Sequence, residues 1–324
     1  MKLAFSVLVT LLFVGICLYW IGVEHFYLTL LTLQLSQVGA IFILFFISIF
    51  LRGWRIELTL GGELSMPHLE YFIVASLHNI ANQLMPIRSG ELAYPYLLHR
   101  YFGYKLAKGA ASLLYIRFFE LFVLFILFLA ALFGIAGVKT GYGINQVFAG
   151  VAVLALVAVI TWLNLSKILK CVSTWLARTI HNRSGYLIGL LEVLSKLLES
   201  LSDELNLKKT LALHFVTGIL TLLNWVCLFM IFYVVLHAVG ISVSVYETII
   251  GSTIASLAQL IPVSTMGSFG SLEAGWTAGF MMVGVDMKSA LNSGLVMHFM
   301  VVSCSIILAS LGWLGLQLMQ GRRD

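Results

Sequence analysis

The sequence predicts an all-α polytopic membrane protein, and three observations carry that expectation. Hydrophobic residues make up 60% of the chain and charged residues only 10%, against about 25% charged in ordinary soluble domains. The apolar residues fall in runs close to the roughly 20 residues that a helix needs to cross a bilayer core. Positive charges gather between alternate runs, as they do on the cytoplasmic side of a membrane. The expected architecture is about six full spans plus two re-entrant helical hairpins arranged as an inverted-topology repeat, in a single membrane domain over residues 1–324.

The elements follow in chain order. Residues 1–34 hold the first span, Leu3–Val23, an uncharged run with no small-x-small cleavage site after it; it reads as an uncleaved span rather than a secretory signal. Residues 35–138 form a first repeat: a run at Leu35–Leu51, a hairpin over 68–104, and a run at Ala110–Val138 that is broken by Arg117 and Glu120. Residues 139–209 supply a fourth run, Val147–Leu165, and a basic loop. Within that loop Tyr186–Leu205 repeats leucine at helical spacing and pairs Glu192 with Lys196 four residues on, the pattern of an amphipathic helix on the membrane surface. Residues 210–324 form a second repeat: Leu211–Val239, a hairpin over 245–285, and Ser289–Met319.

Charge sets the orientation. Arg52 and Arg55 follow the second run; Arg88, Arg100, Lys105 and Lys108 lie before the third; the loop after the fourth run is rich in Lys and Arg; Arg322 and Arg323 close the chain. Six spans from a cytoplasmic N-terminus place all these segments inside, so both termini are expected in the cytoplasm and the chain in the cytoplasmic (inner) membrane. The net charge of +5 is then an orientation signal, and no nucleic-acid partner is expected. The four cysteines show no CxxC spacing and the eight histidines no HExxH pair, so neither a disulfide framework nor a metal or other cofactor is indicated.

The two hairpin segments echo each other. Gln83-Leu84-Met85-Pro86 is matched by Gln259-Leu260-Ile261-Pro262, and Gly90-Glu91 by Gly270-Ser271-Leu272-Glu273. Gly103 stands as far before Arg117-Phe118 as Gly284 stands before His298-Phe299, with Ser112 matching Ser293. The first arm carries His78, Asn79, Asn82 and Gln83, an expensive set for a helix facing lipid. Broken helices that dip in from opposite faces and meet near mid-depth satisfy that cost, because non-helical backbone is tolerated there only inside protein or beside water. Arms that cross fully, giving ten spans, keep the same loop orientations.

Several side chains in these segments point to chemistry. Arg117 lies about 16 Å along its helix, near the middle of the bilayer, with Glu120 on the same face. It reads either as a self-compensating pair or as a cation that receives an anionic group. His298 occupies the matching depth in the second half. Asn79, Asn82 and Gln83 share one helical face, and Gln259 echoes Gln83; with Arg88 they are the candidate substrate-binding groups. Glu91, Glu120, Glu273 and His298 are candidates for coupling or gating. Glu273 has no arginine nearby in sequence and reads as an unpaired carboxylate. Pro86, Gly90, Pro262 and Gly270 are candidate hinges, and Gly275 and Gly279 form a GxxxG pattern of close helix packing.

Taken together, LRGWR at 51–55, the N-x-x-N-Q-x-x-P-x-R-x-G-E phrase at 79–91, RFFE at 117–120 and the P-x-x-x-x-G-x-x-G-x-x-E phrase at 262–273 resemble the lysylphosphatidylglycerol synthase transmembrane region, also called the flippase-like domain family. The second phrase departs from the usual form, with Val263 to Met266 in place of a glycine pair. The resemblance implies a membrane domain that moves lipids between leaflets, as in a stand-alone member without the soluble aminoacyl-transferase domain. The expected cargo is an anionic phospholipid, glycolipid or isoprenoid-phosphate-linked lipid, held by Arg88 and Arg117 in a polar central cavity. The expected partners are membrane lipids and a lipid-modifying enzyme, and no catalysis is expected. Two rival expectations stand beside it: a non-transporting accessory subunit of a lipid-glycosylation or envelope complex, and, remotely, an intramembrane hydrolase built on Ser268 and His298.

Overall fold

A computed structural model describes residues 2–61, 68–139, 156, 160, 164–180, 186–205, 211–259 and 269–320. Among these residues there are twelve α-helices and no strand: α1 Lys2–Ile21, α2 Val23–Leu31, α3 Leu35–Leu60, α4 His68–Leu84, α5 Ala93–Phe102, α6 Leu106–Lys139, α7 Leu165–Ile180, α8 Tyr186–Leu205, α9 Leu211–Ala238, α10 Val245–Ala258, α11 Ser271–Met282 and α12 Met287–Gln320. A short 3-10 helix, Pro86–Leu92, joins α4 to α5.

Four helices are long and apolar enough to cross a membrane, at Leu35–Leu60, Leu106–Ile135, Ala212–Ala238 and Met287–Leu318. A fifth crossing is available if Leu12–Ile21 and Val23–Leu31, bent by 81° at Gly22, count as one span. The expected fourth span at Val147–Leu165 falls almost wholly outside the described residues. The protein is thus a polytopic helical membrane protein. The second run does not stop at Leu51, where the apolar stretch meets arginine. It continues as one helix to Leu60, closed by Gly61 in the left-handed region at φ 72. Arg52 and Arg55 therefore lie inside α3, not in a cytoplasmic loop after it.

Local signals in the chain explain where the helices start. Ser244 and Glu247 form a reciprocal capping box at the head of α10, Ser244 Oγ accepting from Glu247 N–H at 3.2 Å and Glu247 Oε2 from Ser244 N–H at 2.8 Å. At the head of α11 only one half of such a box is present: Glu273 Oε2 accepts from Gly270 N–H at 2.7 Å. The amphipathic helix expected over Tyr186–Leu205 is α8, and it packs against α7, whose Ile168, Val172 and Trp175 are exposed beside Lys167, Lys170 and Arg178.

Packing around the centre is dense. α3 lies against α9 and α4, α4 against α12, α10 against α11 and α6, and α5 against α6. The GxxxG reading holds: a Cβ on Gly279 would sit 2.3 Å from the Gly251 carbonyl oxygen, so α10 and α11 touch backbone to backbone. Gly90 is also a packing glycine, since a Cβ there would lie 2.3 Å from the Ala81 carbonyl oxygen and push the 3-10 helix off α4. Each half of the chain thus runs long helix, short helix, break, short helix, long helix: α3 to α6 and α9 to α12.

Candidate functional site

A cavity of about 480 Å³ lies among the two short-helix pairs and α3, α6, α9 and α12. Its walls carry apolar groups such as Phe45, Leu121 and Phe232, but also an unusual set of polar ones: Arg52, Asn79, Asn82, Gln83, Glu91, Arg117, Glu120, Asn224, Gln259, Ser271 and His298. Eight of the fourteen sequence candidates thus meet at one place, four of them from segments either side of the first break.

On one side is a charge network. Arg117 Nη2 donates to Glu91 Oε1 at 2.5 Å and Nε to Glu91 Oε2 at 3.3 Å, while Nη1 donates to Glu120. Glu120 is shared, because Arg55 Nη2 donates to its other oxygen at 2.8 Å. Arg55 is 1% exposed, and Nη1 donates to Thr221 Oγ1 at 3.1 Å. His78 Nε2 stands 3.6 Å from Glu91 and 2.9 Å from Asn82 Nδ2. Arg117 was expected either paired with Glu120 or as a cation facing a cavity; it is paired with Glu120, and Glu91 clasps it as well. Burying a charge is costly unless it is paired and hydrogen-bonded; this network meets that demand for Arg117, and for Arg55 in all but Nε, which has no partner among the described residues.

Arg52 is held differently. Its Nη1 donates to Asn79 Oδ1 at 2.9 Å and its Nε to Asn224 Oδ1 at 3.4 Å. Asn79 Nδ2 donates in turn to Ser305 Oγ at 3.0 Å, and Ser48 Oγ donates to Asn224 Oδ1 at 2.8 Å.

On the other side is a single acid–base pair. His298 Nδ1 lies 2.5 Å from Glu273 Oε1, with Glu273 fully buried, and Phe269 stacks on the imidazole at 4.2 Å. This corrects the expectation that Glu273 is unpaired: its partner lies 25 residues on in α12. Next to it Trp276 Nε1 donates to Ser293 Oγ at 3.1 Å. The first half repeats this arrangement with other residues, since Tyr94 and Ser112 share a hydrogen bond at 2.9 Å beside Glu91 and Arg117. In both halves the acid precedes the aromatic by three residues, and the serine precedes the base by five.

Some expectations lie beyond what is described. Arg88 and Pro86 belong to the 3-10 helix by their backbone, but their side chains are outside the described set, and so are all of Pro262, Gly267 and Ser268. Gly270 has φ 97 and heads α11. The residues that sequence reasoning missed are Arg52, Arg55, Asn224, Thr221 and Ser305. Two signals were present for them: a lone asparagine in the middle of the apolar run 211–239, and the i, i+3 spacing of the arginines in LRGWR followed by further apolar residues.

Compared with known proteins, residues 3–309 match the family model described as Lysylphosphatidylglycerol synthase TM region. Neither the curated proteins nor the solved structures give a match.

Proposed function

The chain belongs to the Lysylphosphatidylglycerol synthase TM region family, and on that premise we propose that it is a lipid translocase of the cytoplasmic membrane. Its cargo is an anionic phospholipid, glycolipid or isoprenoid-phosphate-linked lipid, moved between leaflets with the head group in the cavity and the tails in lipid. One observation carries the reading: acid, base and amide side chains from both halves of a very apolar chain converge on one chamber. Such groups are expensive in a membrane and mark pathways when they face a cavity. A phosphate in bare hydrocarbon is more expensive still, so a polar lining lowers the barrier that keeps lipids in their leaflet.

The short helices support a re-entrant arrangement. At 1.5 Å per residue, α10 reaches about 21 Å and α11 about 18 Å, against about 30 Å of hydrocarbon. The matched acid, aromatic, serine and base in the two halves support an inverted repeat around the cavity, the plan of carriers that alternate access. In this reading the translocase makes and breaks no covalent bond. Glu91, Glu120, Glu273 and His298 exchange partners as the chamber reopens on the other face, and both termini stay in the cytoplasm.

The test is a leaflet-accessibility assay in proteoliposomes. Fluorescent phosphatidylglycerol in the inner leaflet becomes accessible to an external quencher with the wild-type chain, and does so at least about tenfold more slowly with Arg117→Ala, which takes the arginine from Glu91 and leaves Glu120 with Arg55. Movement no faster than in protein-free liposomes, across a panel of anionic lipids, contradicts the proposal.

A further inference from the structure

Among the described residues, three guanidinium groups stand at or beside the chamber and only two carboxylates answer them. Glu91 and Glu120 are both taken up by Arg117, and Glu120 also by Arg55. Arg52 meets only neutral oxygens, from Asn79 and Asn224. The count is three positive charges less two negative, which leaves one positive charge uncancelled. The acid of the other side, Glu273, does not line the chamber, and its oxygens are occupied by Gly270 N–H and His298.

The way Arg52 is held matters as much as its charge. A carboxamide oxygen fixes a guanidinium in place without neutralising it. Both carboxamides are themselves oriented, one by Ser305 and one by Ser48, so the fork has a defined direction. Two of its five N–H donors are used; Nη2 has no partner among the described residues, and the side chain lines the chamber. Asn82 Oδ1, Gln83 Oε1 and Ser271 Oγ belong to residues that line the same chamber, are buried, and have no hydrogen-bond partner among the described residues. Buried polar atoms left this way cost free energy that a bound molecule recovers.

We propose that Arg52, not Arg117, is the residue that anchors the cargo, and that the chamber takes a head group with a single negative charge, a phosphodiester, whose hydroxyl groups bond to Asn82, Gln83 and Ser271. This rests on the translocase reading. It follows that a phosphodiester is preferred over a zwitterionic head group, which brings its own cation, and over a phosphomonoester, whose second charge finds no partner.

Native mass spectrometry of the full-length chain in detergent tests it, with phosphatidylglycerol, phosphatidylcholine and phosphatidic acid as probes. The wild-type chain retains phosphatidylglycerol about tenfold better than either of the other two, the size expected for one charge-assisted contact. Arg52→Gln abolishes the preference. Asn79→Asp does the same with the guanidinium still present, by setting a carboxylate beside it, and serves if Arg52→Gln does not fold. The proposal is overturned if the preference survives either substitution, or if phosphatidic acid binds tightest. Overturning it in these ways leaves lipid movement in proteoliposomes intact; a wild-type chain that moves no lipid overturns the translocase reading instead.

Discussion

His298 Nδ1 sits 2.5 Å from Glu273 Oε1 with both side chains buried, and Arg117 Nη2 sits 2.5 Å from Glu91 Oε1 at the matching place in the other half. The residue types differ, yet the construction is the same: an acid just after the break between two short helices reaches a base in the following long helix. Each pair ties a short helix to a long one across the chamber wall. Both members of the first pair line the chamber and share a wider network, whereas of the second pair only His298 lines it, with Phe269 stacked on its ring.

Glu273→Gln should therefore destabilise the protein more than most surface changes. Removing one partner of a buried pair costs about 3 kcal/mol. A double-mutant cycle with His298→Ala, read by thermal unfolding in detergent, should give a coupling energy above about 1 kcal/mol. Additive single effects would mean that the contact holds nothing.

Among the described residues Glu120 serves two arginines and Glu91 one. Glu120→Gln should accordingly lower the unfolding temperature further than Glu91→Gln, by a difference of about 1–3 kcal/mol. Restoring part of the loss with Arg55→Met in the Glu120→Gln background would identify the stranded buried cation as the cause. Equal losses for Glu91→Gln and Glu120→Gln would show that the sharing is not energetically real.

The close contact of α10 and α11 gives a steric prediction. Gly279→Leu places side-chain atoms where the Gly251 carbonyl already lies, and overpacking of this kind costs about 1–3 kcal/mol or more. Ala278→Leu, one residue away on the exposed face, should be tolerated. The comparison is read by the yield of monodisperse protein and its melting temperature.

Much of this was legible in the sequence, and the failures share a cause. Helical spacing alone placed α8, because an amphipathic stripe depends only on near neighbours in the chain. Arg117 and Glu120, three residues apart on one face, were legible for the same reason. Arg52 and Arg55 were read as marking a span's end because arginine ordinarily does so. What keeps them inside a helix is Glu120, 65 residues away, and Asn224, 172 residues away. Glu91 meets Arg117, 26 residues on, a partner that no local spacing marks. Charges buried in an apolar medium choose partners by distance in space, and hydropathy carries no record of that distance.

The central claim is a wet chamber between the two short-helix pairs, reached in turn from both faces of the membrane. It is tested most directly by cysteine accessibility in a background where Cys17, Cys171, Cys227 and Cys304 are replaced. Gln83→Cys and Ser256→Cys, one on each side of the chamber, should react with a membrane-impermeant maleimide added from either face of oriented vesicles, and phosphatidylglycerol should slow the reaction. If both stay as unreactive from either face as Ile231→Cys, set in the fully buried core, there is no chamber open to water and the account fails.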